Sequence, residues 1–197
     1  MRLLLFLSVA AAALAGGPWV EVPAGGAPML PADPLSVLRT NLSSGGAATT
    51  EIVAVDGMPF ARAMCVTVKT MPSVPWGVQI MATTTGDIQA GDVLLLALFA
   101  RGSAENNESG DAYAVAYLQD SRPPNTKLGS QPVNAGTEWR QFLLPFRVSM
   151  SLAQGQHNFT IHMGYYFQTL EVGGLSLLNY GASRTLAELP RTKPDYT

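Results

Sequence analysis

Charge is scarce in this chain of 197 residues: Asp, Glu, Lys and Arg together make up 13%, and the formal net charge is −2. No basic stripe occurs along it, which excludes the electrostatic footprint of a nucleic-acid-binding protein. There is one cysteine, Cys65, so no intrachain disulfide can form. Cys65 sits in the apolar run Ala63-Met64-Cys65-Val66-Thr67-Val68, which suits a buried structural thiol better than a nucleophile in an electropositive, accessible setting. The two histidines, His157 and His162, do not have the spacing of a metal-ligand pair. No Gly-x-Ser-x-Gly elbow is present, and Asp56, Asp87, Asp92, Asp111 and Asp120 fall in turn-like contexts where Asp serves backbone geometry. No segment reaches the roughly 20 apolar residues of a membrane helix.

Four regions emerge in order. Residues 1–15 have a basic start at Arg2, a short apolar core and Ala13-Leu14-Ala15 before Gly16, the pattern of a secretory signal peptide, so the protein is expected to be secreted. Residues 16–34 are rich in Gly, Pro and Ala and read as a flexible lead-in. Residues 35–181 form the folded domain, and residues 182–197 a C-terminal tail or linker.

Within the domain the pattern is β. Residues 51–55 alternate and meet the turn signal Asp56-Gly57, and further strands are expected over 61–69, 76–84, 93–101, 112–119, 139–148, 156–163 and 168–180. The unbroken apolar run 93–101 predicts a central strand buried on both faces. Short helices are expected only in 35–42 and 149–154. Many short strands punctuated by Gly, Asp, Asn and Pro predict an all-β, antiparallel sandwich or barrel.

The ordered set Phe60-Ala61-Arg62-Ala63, Pro75-Trp76-Gly77-Val78-Gln79, Ile88 through Leu95, Phe99-Ala100-Arg101, Thr137-Glu138-Trp139 and Gln168 through Gly181 resembles the galactose-binding-like jelly-roll modules that precede the catalytic barrel of family-ten glycoside hydrolases, the endo-1,4-β-xylanases. That resemblance implies a jelly-roll β-sandwich and a non-catalytic carbohydrate-binding module for a plant-type β-glycan such as xylan. It carries no catalytic barrel, and so no catalytic residues. Related jelly rolls hold a structural calcium through loop oxygens. No ordered acidic loop marks such a site here, and no other cofactor is implied.

Sugar binding needs flat aromatic faces and fixed polar groups. Tyr113, Tyr117 and Gln119 share one strand face opposite the small residues Ala112, Ala114 and Ala116. Trp76, Gln79, Arg101 and Gln168 complete the candidates. Strict alternation would put Trp76 and Gln79 on opposite faces. Trp139 fits a core position, and Tyr165, Tyr166 and Phe167 a loop. Asn41, Asn107 and Asn158 head N-x-Ser/Thr sequons. Two other readings stay open: a sandwich used as an interaction scaffold, and a polysaccharide hydrolase or lyase whose carboxylate pair only three-dimensional distance would reveal.

Overall fold

In the computed structural model, which describes residues 19–42 and 47–192, two antiparallel sheets face each other across one core. The strands are β1 (Ala27–Pro28), β2 (Arg39–Leu42), β3 (Ala48–Ala54), β4 (Arg62–Val68), β5 (Val78–Thr83), β6 (Val93–Ala104), β7 (Ala112–Asp120), β8 (Lys127–Ala135), β9 (Arg140–Arg147), β10 (His157–His162) and β11 (Gln168–Asn179). One sheet runs β3-β4-β11-β6-β9, and the other β2-β5-β10-β7-β8. The signal-peptide segment lies outside the described residues.

Alternation dictates the core. Val78, Ile80 and Ala82 of β5, Phe159 and Ile161 of β10, and Ala112, Ala114, Ala116 and Leu118 of β7 turn inward. They meet Leu94, Leu96 and Leu98 of β6 and Leu170, Val172 and Leu177 of β11. The small alanines of β7 let the sheets approach while their outward neighbours remain large.

Strand β6 is buried on both faces for a reason outside the sheets. Its second face, Val93, Leu95 and Ala97, packs with Leu143, Tyr180 and Leu189, and with the partly buried Val22, Leu178 and Leu186. The chain ends therefore form a cover. Residues 19–34, expected as a flexible lead-in, instead pack on the sheet: Met29 and Leu30 are buried, the Tyr180 hydroxyl donates to the Pro23 carbonyl at 2.5 Å, and the Trp19 ring meets Phe99 edge-on at 5.1 Å. At the other end Thr192 bonds to β9 through its backbone N–H and side chain, so residues 182–192 continue the cover.

Three local expectations change. Residues 35–42 hold a single 3-10 turn (Pro34–Ser36) followed by β2, and not one continuous helix. Residues 149–154 contain no helix, and Leu152 instead bridges to Ile88. Strand β8 has no counterpart in the sequence reading; Gly129 and Pro132 interrupt its period-two pattern. It is an edge strand, where a proline is tolerated, and Gly129 lies so close to Phe146 that a Cβ there would come within 2.5 Å of the ring. Cys65 is buried in β4, and burial, then the charges of Glu171 and Glu51, push its thiol pKa up.

Candidate functional site

Because β5, β10 and β7 turn alternate residues into the core, their other residues form a grid on the outer face. The register aligns Thr83, Asn158 and Gln119 in one row, Met81, Thr160 and Tyr117 in the next, and Gln79, His162 and Val115 in a third. On β8, Lys127 stands opposite Gln119. Over this grid opens a cleft of about 660 Å³, within the range of roughly 300–1,000 Å³ common for ligand sites.

Two loops wall the cleft. At one end the 3-10 turn Pro75–Gly77 closes with a bond from Gly77 N–H to Val74 O (2.9 Å), and its tryptophan, Trp76, is 53% exposed. Gly164 N–H donates to Pro75 O (2.9 Å), and an added Cβ at Gly164 would lie 2.8 Å from that oxygen, so only glycine lets the β10–β11 loop carry Tyr165 alongside. At the other end the β7–β8 loop contributes Ser121, Pro124 and Asn125. Its base is fixed by Asp120, which accepts from the backbone and guanidinium of Arg122 at 2.8–2.9 Å. Those bonds from Arg122 hold the Asp120 carboxyl down at about 2.

The floor is a network of rings and amides. The Tyr117 ring lies 4.6 Å from the His162 ring, and the Trp76 ring lies 6.2 Å from that of His162. Lys127 Nζ sits 4.7 Å over the Tyr117 ring and donates to Gln119 Oε1. Thr160 Oγ1 donates to Gln79 Oε1 at 2.8 Å, which occupies one of the two lone pairs of that oxygen. Asn158 Oδ1 is the exception: it is buried with no hydrogen-bond partner among the described residues. Burial, then the positive charge of Lys127, lowers the His162 pKa to about 4, leaving a neutral ring at pH 7. Burial, then the hydrogen bond with Tyr117, pushes the Tyr165 phenol well up. Among the described residues, no Asp or Glu lines the cleft.

Of the seven residues read from the sequence, the structure brings Trp76, Gln79, Tyr117 and Gln119 together in this cleft. Trp76 escapes the alternation that would have put it opposite Gln79, because it belongs to the turn before β5 begins. Tyr113 shares the face of β7 but lies past the cleft, where its ring packs edge-on against Tyr165 at 5.0 Å and Tyr166 at 6.4 Å. Arg101 belongs to the other sheet, on its outer face, gripped by Glu171 at 2.9–3.2 Å and lying 4.9 Å from the centre of the Trp139 ring. Trp139 thus sits on the outside of that sheet, beside Phe60 at 5.1 Å. Gln168 is buried and joins the two sheets. Its Nε2 donates to Tyr113 O (2.8 Å) and Met163 O (2.6 Å), and its Oε1 accepts from Tyr113 N–H (2.7 Å). Both donors and one oxygen lone pair of this buried amide are thus taken by backbone groups, which makes Gln168 a structural tie.

Sequence reasoning missed Lys127, Asn158, His162 and the Pro124–Asn125 wall. Outward alternation from Phe159 and Ile161 could have flagged Asn158 and His162. The Asn158 sequon lies on the cleft floor, where a glycan would fill the site. Asn107 lies in the β6–β7 hairpin, with its Nδ2 donating to Asp111 O. Among the described residues no cluster of His, Cys, Asp and Glu could hold a metal, and no helix is long and apolar enough to cross a membrane.

No family model and no curated protein matches the chain. Solved structures do share its fold. A CBM4 carbohydrate-binding module aligns at 19% identity and TM-score 0.52, over 68% of this chain and 93% of its own. The CBM22-1 xylan-binding domain of Paenibacillus barcinonensis Xyn10C aligns at 7% identity and TM-score 0.50, over 75% and 88%. An arabinose-bound α-L-arabinofuranosidase aligns at 15% identity and TM-score 0.53 over 78% of this chain, which spans only 24% of that enzyme. The chain therefore has the jelly-roll sandwich fold found in carbohydrate-binding modules.

Proposed function

We propose that this chain is a secreted, non-catalytic carbohydrate-binding module that takes a plant-type β-glycan, xylan first, into the cleft over β5, β10 and β7. The observation that carries the reading is the Asn158 amide oxygen. A buried acceptor without a partner is uncommon enough to need a reason, and here it stands on the floor of an aromatic-walled cleft. A turn of the Asn158 amide toward the cleft would let a sugar hydroxyl satisfy it. Trp76 and Tyr117 supply faces for pyranose C–H groups to stack on, and the Gln79 and Gln119 amides can offer donors to ring hydroxyls.

The lining argues for binding without bond cleavage. Glycoside hydrolysis commonly uses two carboxyl groups flanking the bond, and none faces this cleft. The choice of xylan is supported by the fold shared with the xylan-binding domain, and export by residues 1–15. Native gels containing xylan, mixed-linkage β-glucan or mannan test the proposal. Retardation by xylan or β-glucan is expected, and no retardation by any soluble glycan would favour the scaffold reading. Release of reducing sugar from the same polymers would overturn the non-catalytic assignment.

A further inference from the structure

Among the described residues, the lining of the cleft carries one positive charge, that of Lys127, and no carboxylate to balance it. Of its lining residues only Lys127 is ionised at neutral pH, since His162 is held neutral and no carboxylate is present. The ion pairs among the described residues are Arg62 with Asp33, Arg101 with Glu171 and Arg122 with Asp120, and none involves Lys127. Asp120, adjacent in sequence to Gln119, is engaged by both the side chain and the backbone of Arg122. Yet the ammonium is positioned: it lies over the Tyr117 ring and donates to Gln119 Oε1, its cross-strand neighbour. That bond uses one of its three donors. Two N–H donors of this ammonium are left over, and its charge has no partner among the ion pairs of the described residues, so an anionic group on a bound ligand would find complementary charge here.

Building on the glycan-binding reading above, we infer that the preferred glycan carries an acidic substituent, whose anionic oxygens meet Lys127 at the end of the cleft formed by the β7–β8 loop. The neutral part of the chain lies on Tyr117 and Trp76, and the acidic branch accepts hydrogen bonds from the ammonium. A uronic-acid carboxylate and a sulfate ester present the same anionic oxygens, so the test separates them. A neutral hydroxyl would gain as much from a glutamine at this position, whereas a charge-assisted bond requires the ammonium.

The experiment compares Kd by titration calorimetry for four polymers: glucuronoxylan, the same glucuronoxylan with its carboxyl groups reduced to alcohols, neutral arabinoxylan and sulfated xylan. Glucuronoxylan is expected to bind about two- to fivefold more tightly than its reduced form, the range for a largely solvated ion pair. Raising the salt concentration should shrink that ratio. In K127Q the ratio should fall to about one, and K127R should restore it. Tighter binding of sulfated xylan than of glucuronoxylan would assign the acidic group as sulfate. Equal affinity for native and reduced glucuronoxylan, or an undiminished ratio in folded K127Q, overturns the inference while leaving glycan binding intact. Binding to none of the four overturns both.

Discussion

Truncating Trp76 separates binding from folding more cleanly than any other change in the cleft. A tryptophan side chain offers up to about 250 Å², and 53% of Trp76 is exposed in the free protein. About 130 Å² is then open to a ligand, and a sugar ring stacked on one face would cover roughly half of it. At about 25 cal/mol per Å², that ~65 Å² contributes about 1.6 kcal/mol. Trp76→Ala should therefore weaken xylan binding by about 15-fold. Trp76 lies in the turn before β5 and outside the hydrophobic core, so its removal should cost folding no more than about 1 kcal/mol, in keeping with a surface substitution. Calorimetric titration with xylan and thermal melting of the same preparation measure the two effects. Unchanged affinity in a folded Trp76→Ala protein would refute the assignment of this wall as a stacking platform. A collapse in Tm with proportionate loss of binding would show that the turn is structural.

Asn158→Ala should weaken glycan binding by about 0.5–1.5 kcal/mol, the net worth of one hydrogen bond, while leaving Tm equal or higher, because the amide oxygen has no partner to lose; a large fall in Tm would contradict this. Stability should decline as pH falls from about 6.5 towards 4. His162 in the folded protein resists the proton that the unfolded chain accepts, and His157, whose pKa is also lowered by burial, acts in the same direction. Asp120, with its carboxyl held near 2, contributes stability that is lost only below about pH 4, so melting curves between pH 7 and 4.5 report the histidines, and His162→Gln should flatten the slope. Gly173→Ala should destabilise by about 1–3 kcal/mol, since a Cβ there collides with the Phe60 ring. It lies on the opposite sheet, so xylan affinity of the folded variant should be unchanged.

The parts of the site legible in the sequence are those governed by period two within one strand. Tyr117 and Gln119 could be placed together because nothing interrupts β7 between them, and Leu118 between them with the alanines before them announces which face turns inward. What joins β7 to its neighbours was not legible. The register that sets Asn158 opposite Gln119, and Lys127 opposite it on the other side, depends on strand order, and the order β5-β10-β7-β8 pairs residues as distant in sequence as Gln79 and His162. Trp76 failed by one turn: Pro75 starts a 3-10 segment, so counting alternation from Trp76 begins one element too early. Gln168 failed differently. A polar residue opening an apolar strand reads the same whether it meets solvent or ties two sheets together. Only its three bonds to the Tyr113 and Met163 backbones decide the matter.

The two outer faces of the sandwich have been treated oppositely, and that asymmetry bears on where a polymer could lie. The face of β6 and β9 is covered along much of its length by the chain's own described ends, with Val22, Tyr180, Leu186 and Leu189 filling the space above Val93, Leu95 and Leu143. Beside that cover Arg101 is neutralised by Glu171 and stacked on Trp139, so its charge and donors are already engaged. Among the described residues, the face of β5, β10 and β7 has no such cover, and it is there that a buried amide acceptor is left without a partner and an exposed lysine without a counter-charge. Unmet polar groups are costly in a folded protein unless something external meets them. A long, hydroxyl-rich polymer laid along this open face would offer hydroxyls to the Asn158 amide, and an acidic substituent on it would offer Lys127 a counter-charge, without any rearrangement of the sheets.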